Sequence, residues 1–128
     1  MKILLDTHII LWLAGEPDKL SVEARTLLLD VSNKLYFSAA SIWEIVIKRG
    51  LGRDDFKVDP HRLRKQLVIN GYEEIGISSD HALAVELLPQ LHKDPFDRIL
   101  IAQARAEGML LLTADNQISL YGDGIVTV

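Results

Sequence analysis

The sequence predicts an α/β fold in which a central, mostly parallel sheet of four to five strands lies between two layers of helices. Short apolar runs recur along the chain, and each has the length of a strand that is buried on both faces. Segments with the apolar spacing of helices separate these runs, and strands that alternate with helices form βαβ units. The chain has 128 residues, a length that fits one domain spanning residues 1–128.

In the first half of the chain, we expect strands at residues 3–5 and 35–37, because both are short apolar runs. The helix after the first strand ends at Gly15, and Ser21 is suited to cap the helix that comes next. Four residues give that second helix its apolar stripe: Val22, Leu27, Leu28 and Val31.

The helix after the second strand can begin at either of two serines, Ser38 or Ser41, and it ends at Gly50. A turn-rich stretch at residues 52–60 leads to a further helix, which Asn70-Gly71 ends. The first half therefore supplies two strands and four helices.

The second half of the chain supplies three more predicted strands, at residues 74–77, 109–112 and 125–128. Ser79 is suited to cap a helix that ends near Pro89. A loop at residues 92–95 precedes the helix at residues 96–107, and Gly108 ends that helix.

The composition excludes several classes of protein. The chain has no cysteine, so it forms neither disulfides nor a thiolate metal site, as expected of a protein of the reducing cytoplasm. The apolar N-terminal run contains Asp6 and His8, which a secretory signal peptide would not normally carry. No segment approaches the roughly 20 apolar residues of a membrane span. We therefore expect a soluble, cytoplasmic protein that does not act at a membrane.

The formal net charge is −4, but the basic residues are concentrated in one stretch. Residues 48–65 contain seven of the 14 lysines and arginines and only three acidic residues. Such a stretch can steer a phosphate backbone toward an otherwise acidic molecule. The alternative is a solvated helix face followed by a loop.

Four acidic residues occupy matching places in the predicted fold. Asp6 directly follows the first strand, and Asp115 follows the strand at residues 109–112. Glu44 and Asp97 lie in the first turns of two helices. In open α/β sheets the ligand crevice lies outside the carboxyl ends of the strands, where all four side chains would converge.

Four converging carboxylates repel one another strongly unless a cation lies between them. Oxygen ligands select Mg²⁺ or Mn²⁺ over softer metals. A divalent ion held in this way suits hydrolysis of a phosphodiester, and the residues are compatible with one ion or with two.

Each acid also has a structural interpretation of its own. Asp6 and Asp97 can cap helices, and Glu44 can form an ion pair with Lys48 four residues later. Asp115 can simply belong to a turn. The occurrence of all four acids at strand-edge positions favours the metal site over these separate roles.

Four blocks of sequence carry the acids: Leu4-Leu5-Asp6-Thr7-His8, Ser38-Ala39-Ala40-Ser41-Ile42-Trp43-Glu44-Ile45, His92-Lys93-Asp94-Pro95-Phe96-Asp97-Arg98 and Leu112-Thr113-Ala114-Asp115. Together they resemble the PIN domain and, more narrowly, the VapC-type toxins of prokaryotic type II toxin–antitoxin systems. The blocks occur in the order and spacing of that family, and the resemblance extends from residue 2 to the C-terminus. It implies a PIN-like three-layer α/β/α fold.

The resemblance implies a metal-dependent endoribonuclease whose cofactor is Mg²⁺, for which Mn²⁺ can substitute. Four residues would be both the catalytic and the metal-binding acids: Asp6, Glu44, Asp97 and Asp115. Thr7 and Thr113 match hydroxyl positions that help to orient the carboxylates or a water. Asp94 belongs to the motif as well, and its place before Pro95 predicts a role in a turn.

The resemblance also implies protein partners, namely a second copy in a homodimer and a small cognate antitoxin. In such pairs, the C-terminal segment of the antitoxin occupies the groove near the active site. The apolar helix faces at residues 11–13 and 45–47 are candidate contact surfaces. Core packing is the alternative that we favour for both.

Three basic residues lie in or just after the acidic blocks and are candidates for contacts to RNA phosphates: Lys48, Arg49 and Arg98. Arg98 can instead form a salt bridge with Asp94 or Asp97. Trp12 and Trp43 occur beside other apolar residues, which favours core packing over stacking on bases. None of the four histidines belongs to a spaced metal-binding pair such as HxxxH.

Three other functions are compatible with parts of the pattern. A PIN-like module that binds RNA or a protein without cutting would have no need of all four acids. A receiver-type phosphate-acceptor domain would need an acidic pair before its acceptor aspartate and a lysine after its last strand. A dehalogenase-type phosphatase would have a second aspartate at the position of His8.

Overall fold

The computed structural model describes residues 1–128 and contains one five-stranded sheet in which every neighbouring pair of strands is parallel. The strands are β1 (Lys2–Leu5), β2 (Lys34–Ser38), β3 (Glu73–Ile75), β4 (Leu110–Thr113) and β5 (Ile125–Thr127). Their spatial order is β3-β2-β1-β4-β5, so β1 lies at the centre with β2 and β4 beside it. Ile3 is in register with Leu35 on one side and with Leu110 on the other.

Seven α-helices connect and cover the strands. They are α1 (Thr7–Gly15), α2 (Val22–Leu29), α3 (Ala39–Gly50), α4 (Pro60–Ile69), α5 (Ser79–Ala84), α6 (Pro95–Glu107) and α7 (Asn116–Ser119). Three short 3-10 turns occur at Pro17–Lys19, Asp54–Phe56 and Val85–Leu87. None of the helices combines the length and the apolarity that crossing a membrane requires.

The core forms two apolar clusters, one on each face of the sheet. Successive side chains of a strand point to opposite faces, and Ile3 and Leu5 accordingly pack with residues of α1, α2 and α4. Leu4 packs on the other face with residues of α6, including Leu100 and Ile101. The predicted three-layer α/β/α arrangement with a parallel central sheet is thereby confirmed.

Several helix ends follow the predicted capping residues. Ser21 caps α2 by accepting a hydrogen bond from the backbone of Ala24, and Ser38 caps α3. Asp94, for which a role in a turn was predicted, instead caps α6, with Pro95 in the first helical position. Gly108 ends α6 with a φ of 66°, a left-handed conformation that glycine adopts without a steric penalty.

Other local predictions were wrong, wholly or in part. Half of the predicted stripe of α2 is confirmed, because Leu27 and Leu28 pack against the first core cluster, but Val22 and Val31 are 79% and 101% exposed and Ala24 is the fully buried residue of the helix. Ser78 rather than Ser79 caps α5. That helix also ends at Ala84, earlier than predicted, and the chain continues as the 3-10 turn Val85–Leu87 before it reaches Pro89.

The two tryptophans differ in their packing. Trp12 is half-buried and packs against the first core cluster, in line with its prediction. Trp43 was predicted to be a core residue, but it is 59% exposed, and its ring meets the edge of Phe96 at a centroid distance of 5.2 Å. On α3 the buried positions are instead Ala40, Ser41, Glu44 and Ile45.

Candidate active site

The carboxyl edge of the sheet brings the four predicted acids together. Asp6 follows β1 in an extended conformation, and its backbone N–H donates to the carbonyl of Leu112 at the end of β4. Asp115 follows β4 and caps the short helix α7, which the sequence analysis did not predict. Glu44 lies on the buried face of α3, and Asp97 is the third residue of α6.

Three of these acids are buried. Asp6 and Glu44 are each 2% exposed and Asp97 is 9% exposed, whereas Asp115 is half-buried. One oxygen of Asp6 (Oδ1) and one of Glu44 (Oε1) are fully enclosed and have no hydrogen-bond partner. Because an unpaired buried carboxylate oxygen is costly, this pair marks a place where two oxygen atoms lack a donor or a cation.

The other oxygen of each acid is bound within the protein. Asp6 Oδ2 accepts from the Thr113 hydroxyl at 2.7 Å, and Glu44 Oε2 accepts from Lys48 Nζ at 2.5 Å. Asp97 Oδ2 lies 2.6 Å from His92 Nε2, and Asp115 Oδ1 accepts from the backbone N–H of Gln117 at 2.8 Å. The carboxylates are therefore fixed in orientation, with one oxygen of each left over.

Burial and mutual repulsion raise the pKa values of two acids. The pKa of Asp6 rises to about 6, mainly because burial disfavours its charged form, although the hydrogen bond from Thr113 and the charge of His8 oppose the shift. Burial likewise raises the pKa of Asp97 to about 7, and the nearby charges of Asp6, Asp94 and Glu44 add to the effect. The charge of Glu44 acts on Asp6, and the charges of Asp6 and Glu44 act on Asp97, so these side chains lie in one electrostatic centre.

We use the term acid centre for the carboxylates of Asp6, Glu44, Asp97 and Asp115. Its donor set fits a hard divalent cation, since every acid supplies oxygen and two buried oxygens have no other partner. A histidine nitrogen also lies beside the acid centre. One ligand atom of each of His92, Asp97 and Asp115 lies within 4.8 Å of those of the other two. His92 was not among the predicted site residues, although its place five residues before Asp97 in the same motif block is a usable signal.

The two predicted hydroxyl residues differ in their contacts. Thr113 is fully buried and donates to Asp6, while its oxygen also accepts from the backbone N–H of Asp115, so it links two acids. Thr7 instead hydrogen-bonds to the Ser41 hydroxyl at 2.9 Å, joining α1 to α3 behind the site. Thr113 therefore orients an acid directly, whereas Thr7 fixes the helices that carry the acids.

The three basic candidates have separate surroundings. Lys48 lies next to the acid centre, and its ammonium also approaches Asp94 at 3.7 Å. Burial acts to lower the pKa of Lys48, but the hydrogen bond and charge of Glu44 outweigh it and raise that pKa, so the residue is charged at neutral pH. Arg49, one residue further along α3, is exposed.

Arg98 lies inside the protein. It is 8% exposed, and its guanidinium donates to the carbonyl oxygens of Val85, Pro89 and His92 and to the hydroxyl of Tyr121. It forms no salt bridge with Asp94 or Asp97, so that part of the prediction was wrong. Nor does this position leave an exposed guanidinium for an RNA phosphate, because carbonyl groups surround it.

The concave surface beside the acids is small. A cavity of about 180 Å³ is lined by Asp6, His8, Trp12, Ala114 and Asp115. A larger cavity, of about 600 Å³, lies at the opposite edge of the sheet near the amino ends of β2 and β3, and none of the four acids lines it. The smaller cavity is the one lined by the acids Asp6 and Asp115, and acidic side chains rather than volume are what a metal-binding site would need.

Comparison with known proteins agrees with this geometry. The family model described as the PIN domain matches residues 3–123. The chain is 29% identical over 117 residues to a Mycobacterium tuberculosis protein named Ribonuclease VapC22, covering 91% of this chain and 88% of that protein.

Two solved structures share the fold. One is VapBC2 from Rickettsia felis, bound to a DNA fragment from the promoter, with a TM-score of 0.70, 18% identity and coverage of 100% of this chain and 98% of that chain. The other is a toxin–antitoxin complex from Klebsiella pneumoniae, with a TM-score of 0.65, 23% identity and coverage of 98% and 96%.

Proposed function

Because the chain belongs to the PIN domain family, we propose that it is a metal-dependent endoribonuclease and the toxin of a type II toxin–antitoxin pair. The observation that carries the proposal is the pair of buried, unpartnered oxygens on Asp6 and Glu44 within a cluster of four acids. A fold that placed these acids together only for stability would leave no such oxygens, since each costs about 1–3 kcal/mol or more when unpaired.

The relatives support the finer parts of this proposal. A protein named as a ribonuclease supports RNA as the substrate, and two structures of toxin–antitoxin assemblies support a cognate antitoxin as the partner. We further propose that residues 1–128 form a single PIN domain, that two copies form a homodimer, and that the protein acts in the cytoplasm. The catalytically inactive and receiver-type alternatives have no observation in their favour.

In the proposed mechanism, four residues would hold Mg²⁺, or Mn²⁺ in its place: Asp6, Glu44, Asp97 and Asp115. When bound, the ion would lower the pKa of an attacking water and offset charge on the phosphate and leaving oxygen. The residues of the chain supply orientation. Thr113 fixes Asp6 and His92 fixes Asp97, while Lys48 and Arg49 are the proposed contacts to RNA phosphates.

The test is a cleavage assay on total RNA with Mg²⁺ or Mn²⁺. Asp6→Asn and Asp97→Asn should each lower the cleavage rate at least ~100-fold, because each removes a charged oxygen ligand. The matched control is Asp123→Asn, which changes an exposed aspartate outside the acid centre and should leave the rate unchanged. Cleavage that persists in excess chelator, or in the Asp97→Asn protein, contradicts the proposed function.

A further inference from the structure

A fixed cation, the ammonium group of Lys48, lies directly against the acid centre. Lys48 Nζ lies 2.5 Å from Glu44 Oε2 and 3.7 Å from Asp94 Oδ2. It also lies 5.0 Å from the ring centroid of Phe56 and 5.7 Å from that of Phe96. Two carboxylates and two aromatic faces therefore surround one ammonium group, and both kinds of partner attract a cation.

This environment differs from that of an ordinary surface ion pair. Lys57 and Asp54 form such a pair, with side chains that are 77% and 94% exposed, and such pairs contribute little to stability. The side chains of Lys48 and Glu44 are only 18% and 3% exposed. Lys48 is thus held in place next to the acids by burial and by several partners at once.

The free oxygens limit what else the centre can bind. One oxygen of each acid is committed to a partner within the protein, which leaves one oxygen from each of Asp6, Glu44, Asp97 and Asp115. Four oxygens completed by water are enough for one six-coordinate ion. A second ion that used Glu44 Oε2 would have to displace the ammonium of Lys48 from its carboxylates and aromatic rings.

We propose that Lys48 occupies the second cation position of the acid centre, so that the protein takes one divalent ion per chain and not two. The inference rests on the proposed function, because it concerns the same metal site. In two-ion centres the ions lie ~3.5–4 Å apart and share the stabilisation of the attacking and leaving oxygens. Here the ammonium of Lys48 supplies a positive charge that does not depend on the metal concentration.

The experiment counts bound ions in the full chain. Mn²⁺ is titrated into chelator-treated protein at neutral pH, and the stoichiometry is measured by calorimetry and by electron paramagnetic resonance of the bound ion. Wild type should bind one Mn²⁺ per chain and show the spectrum of an isolated ion. Lys48→Met should bind two and show the signature of a spin-coupled pair, since Glu44 Oε2 is then free.

The matched control is Lys57→Met, which removes an exposed lysine from the same basic stretch and should still bind one ion. Lys48→Gln serves as a second variant that also lacks the charge, and it too should bind two ions. Circular dichroism establishes that each variant is folded.

The results separate this inference from the proposed function. If wild type binds two coupled ions and cleaves RNA, the proposed role of Lys48 is wrong but the proposed nuclease function stands. Lys48 variants that fold and still bind one ion overturn the role as well. A wild type that binds no Mn²⁺ contradicts both proposals.

Discussion

Two neighbouring clusters of buried charged and polar groups differ in how completely their charges are compensated. In the acid centre, two buried carboxylate oxygens have no partner. In the second cluster, here called the Arg98 network, one guanidinium donates to three carbonyls and to the Tyr121 hydroxyl. The unpaired oxygens of the first cluster oppose folding, whereas the hydrogen-bonded guanidinium of the second does not.

The two clusters meet at His92. Its side chain contacts Asp97 in the acid centre, while its backbone carbonyl accepts from Arg98 and its backbone N–H donates to the Tyr121 hydroxyl. The satisfied cluster therefore holds a residue of the unsatisfied one. The difference shows that the place of His92 beside the acids depends on a network that itself contains no acid.

The largest expected effect on stability comes from the Arg98 network. Arg98→Met should lower the free energy of unfolding by about 3–5 kcal/mol, because it leaves several buried carbonyls without a donor. Urea denaturation measures this change. Arg62→Met, which alters an exposed arginine on α4, should change the stability by less than about 0.5 kcal/mol. Equal effects of the two substitutions would contradict the structural role of Arg98.

The second prediction concerns the acid centre, whose charged carboxylates should lower the free energy of unfolding, whereas the Arg98 network raises it. Because the folded-state pKa values of Asp6 and Asp97 are raised to about 6 and about 7, the folded chain retains protons that the unfolded chain has lost. The free energy of unfolding of the metal-free protein should therefore fall as the pH rises from about 4 to 7. The destabilisation by these two carboxylates is absent at pH values below their unfolded-state pKa values. It reaches its full size at pH values above their folded-state pKa values.

Asp6→Asn provides the direct test of that sign. In excess chelator at pH 8, the variant should be more stable than wild type by on the order of 1–3 kcal/mol, since it has no buried charge at this position. Near pH 4 the two proteins should differ little. Urea denaturation at both pH values measures the difference. A variant that is less stable than wild type at pH 8 would contradict the inference that the charged Asp6 carboxylate destabilises the metal-free protein.

The sequence carried most of the information for the fold and for the acids. Asp6 and Asp115 follow strands whose apolar runs are unambiguous, so their place at the carboxyl edge follows from the parallel topology. Glu44 and Asp97 were placed by the predicted helices that carry them in their first turns, and the family resemblance pointed to the same residues. The sheet, its direction and the helix caps at Ser21 and Gly108 follow from local residue chemistry.

The remainder depends on tertiary contacts that local patterns do not specify. Helical spacing groups Trp43 with apolar residues, yet α3 buries the stripe that contains Ser41 and Glu44, because those polar residues belong to the site and to its contact with Thr7. The residues around Arg98 in the sequence do not indicate whether its guanidinium contacts an acid or backbone carbonyls. The distinction arises from the loop after α5, which folds over it.

The smallest expected effect comes from Tyr121→Phe, which removes one hydroxyl from the Arg98 network. That hydroxyl accepts from Arg98 and from the backbone of His92 and donates to the carbonyl of Pro89. We expect a loss of about 1–2 kcal/mol in the free energy of unfolding, smaller than for Arg98→Met because the guanidinium keeps its carbonyl partners. Since the hydroxyl also fixes the backbone of His92, the variant should bind Mn²⁺ more weakly even where it is fully folded. A variant with reduced stability but unchanged Mn²⁺ affinity would mean that the two clusters are energetically independent, despite sharing His92.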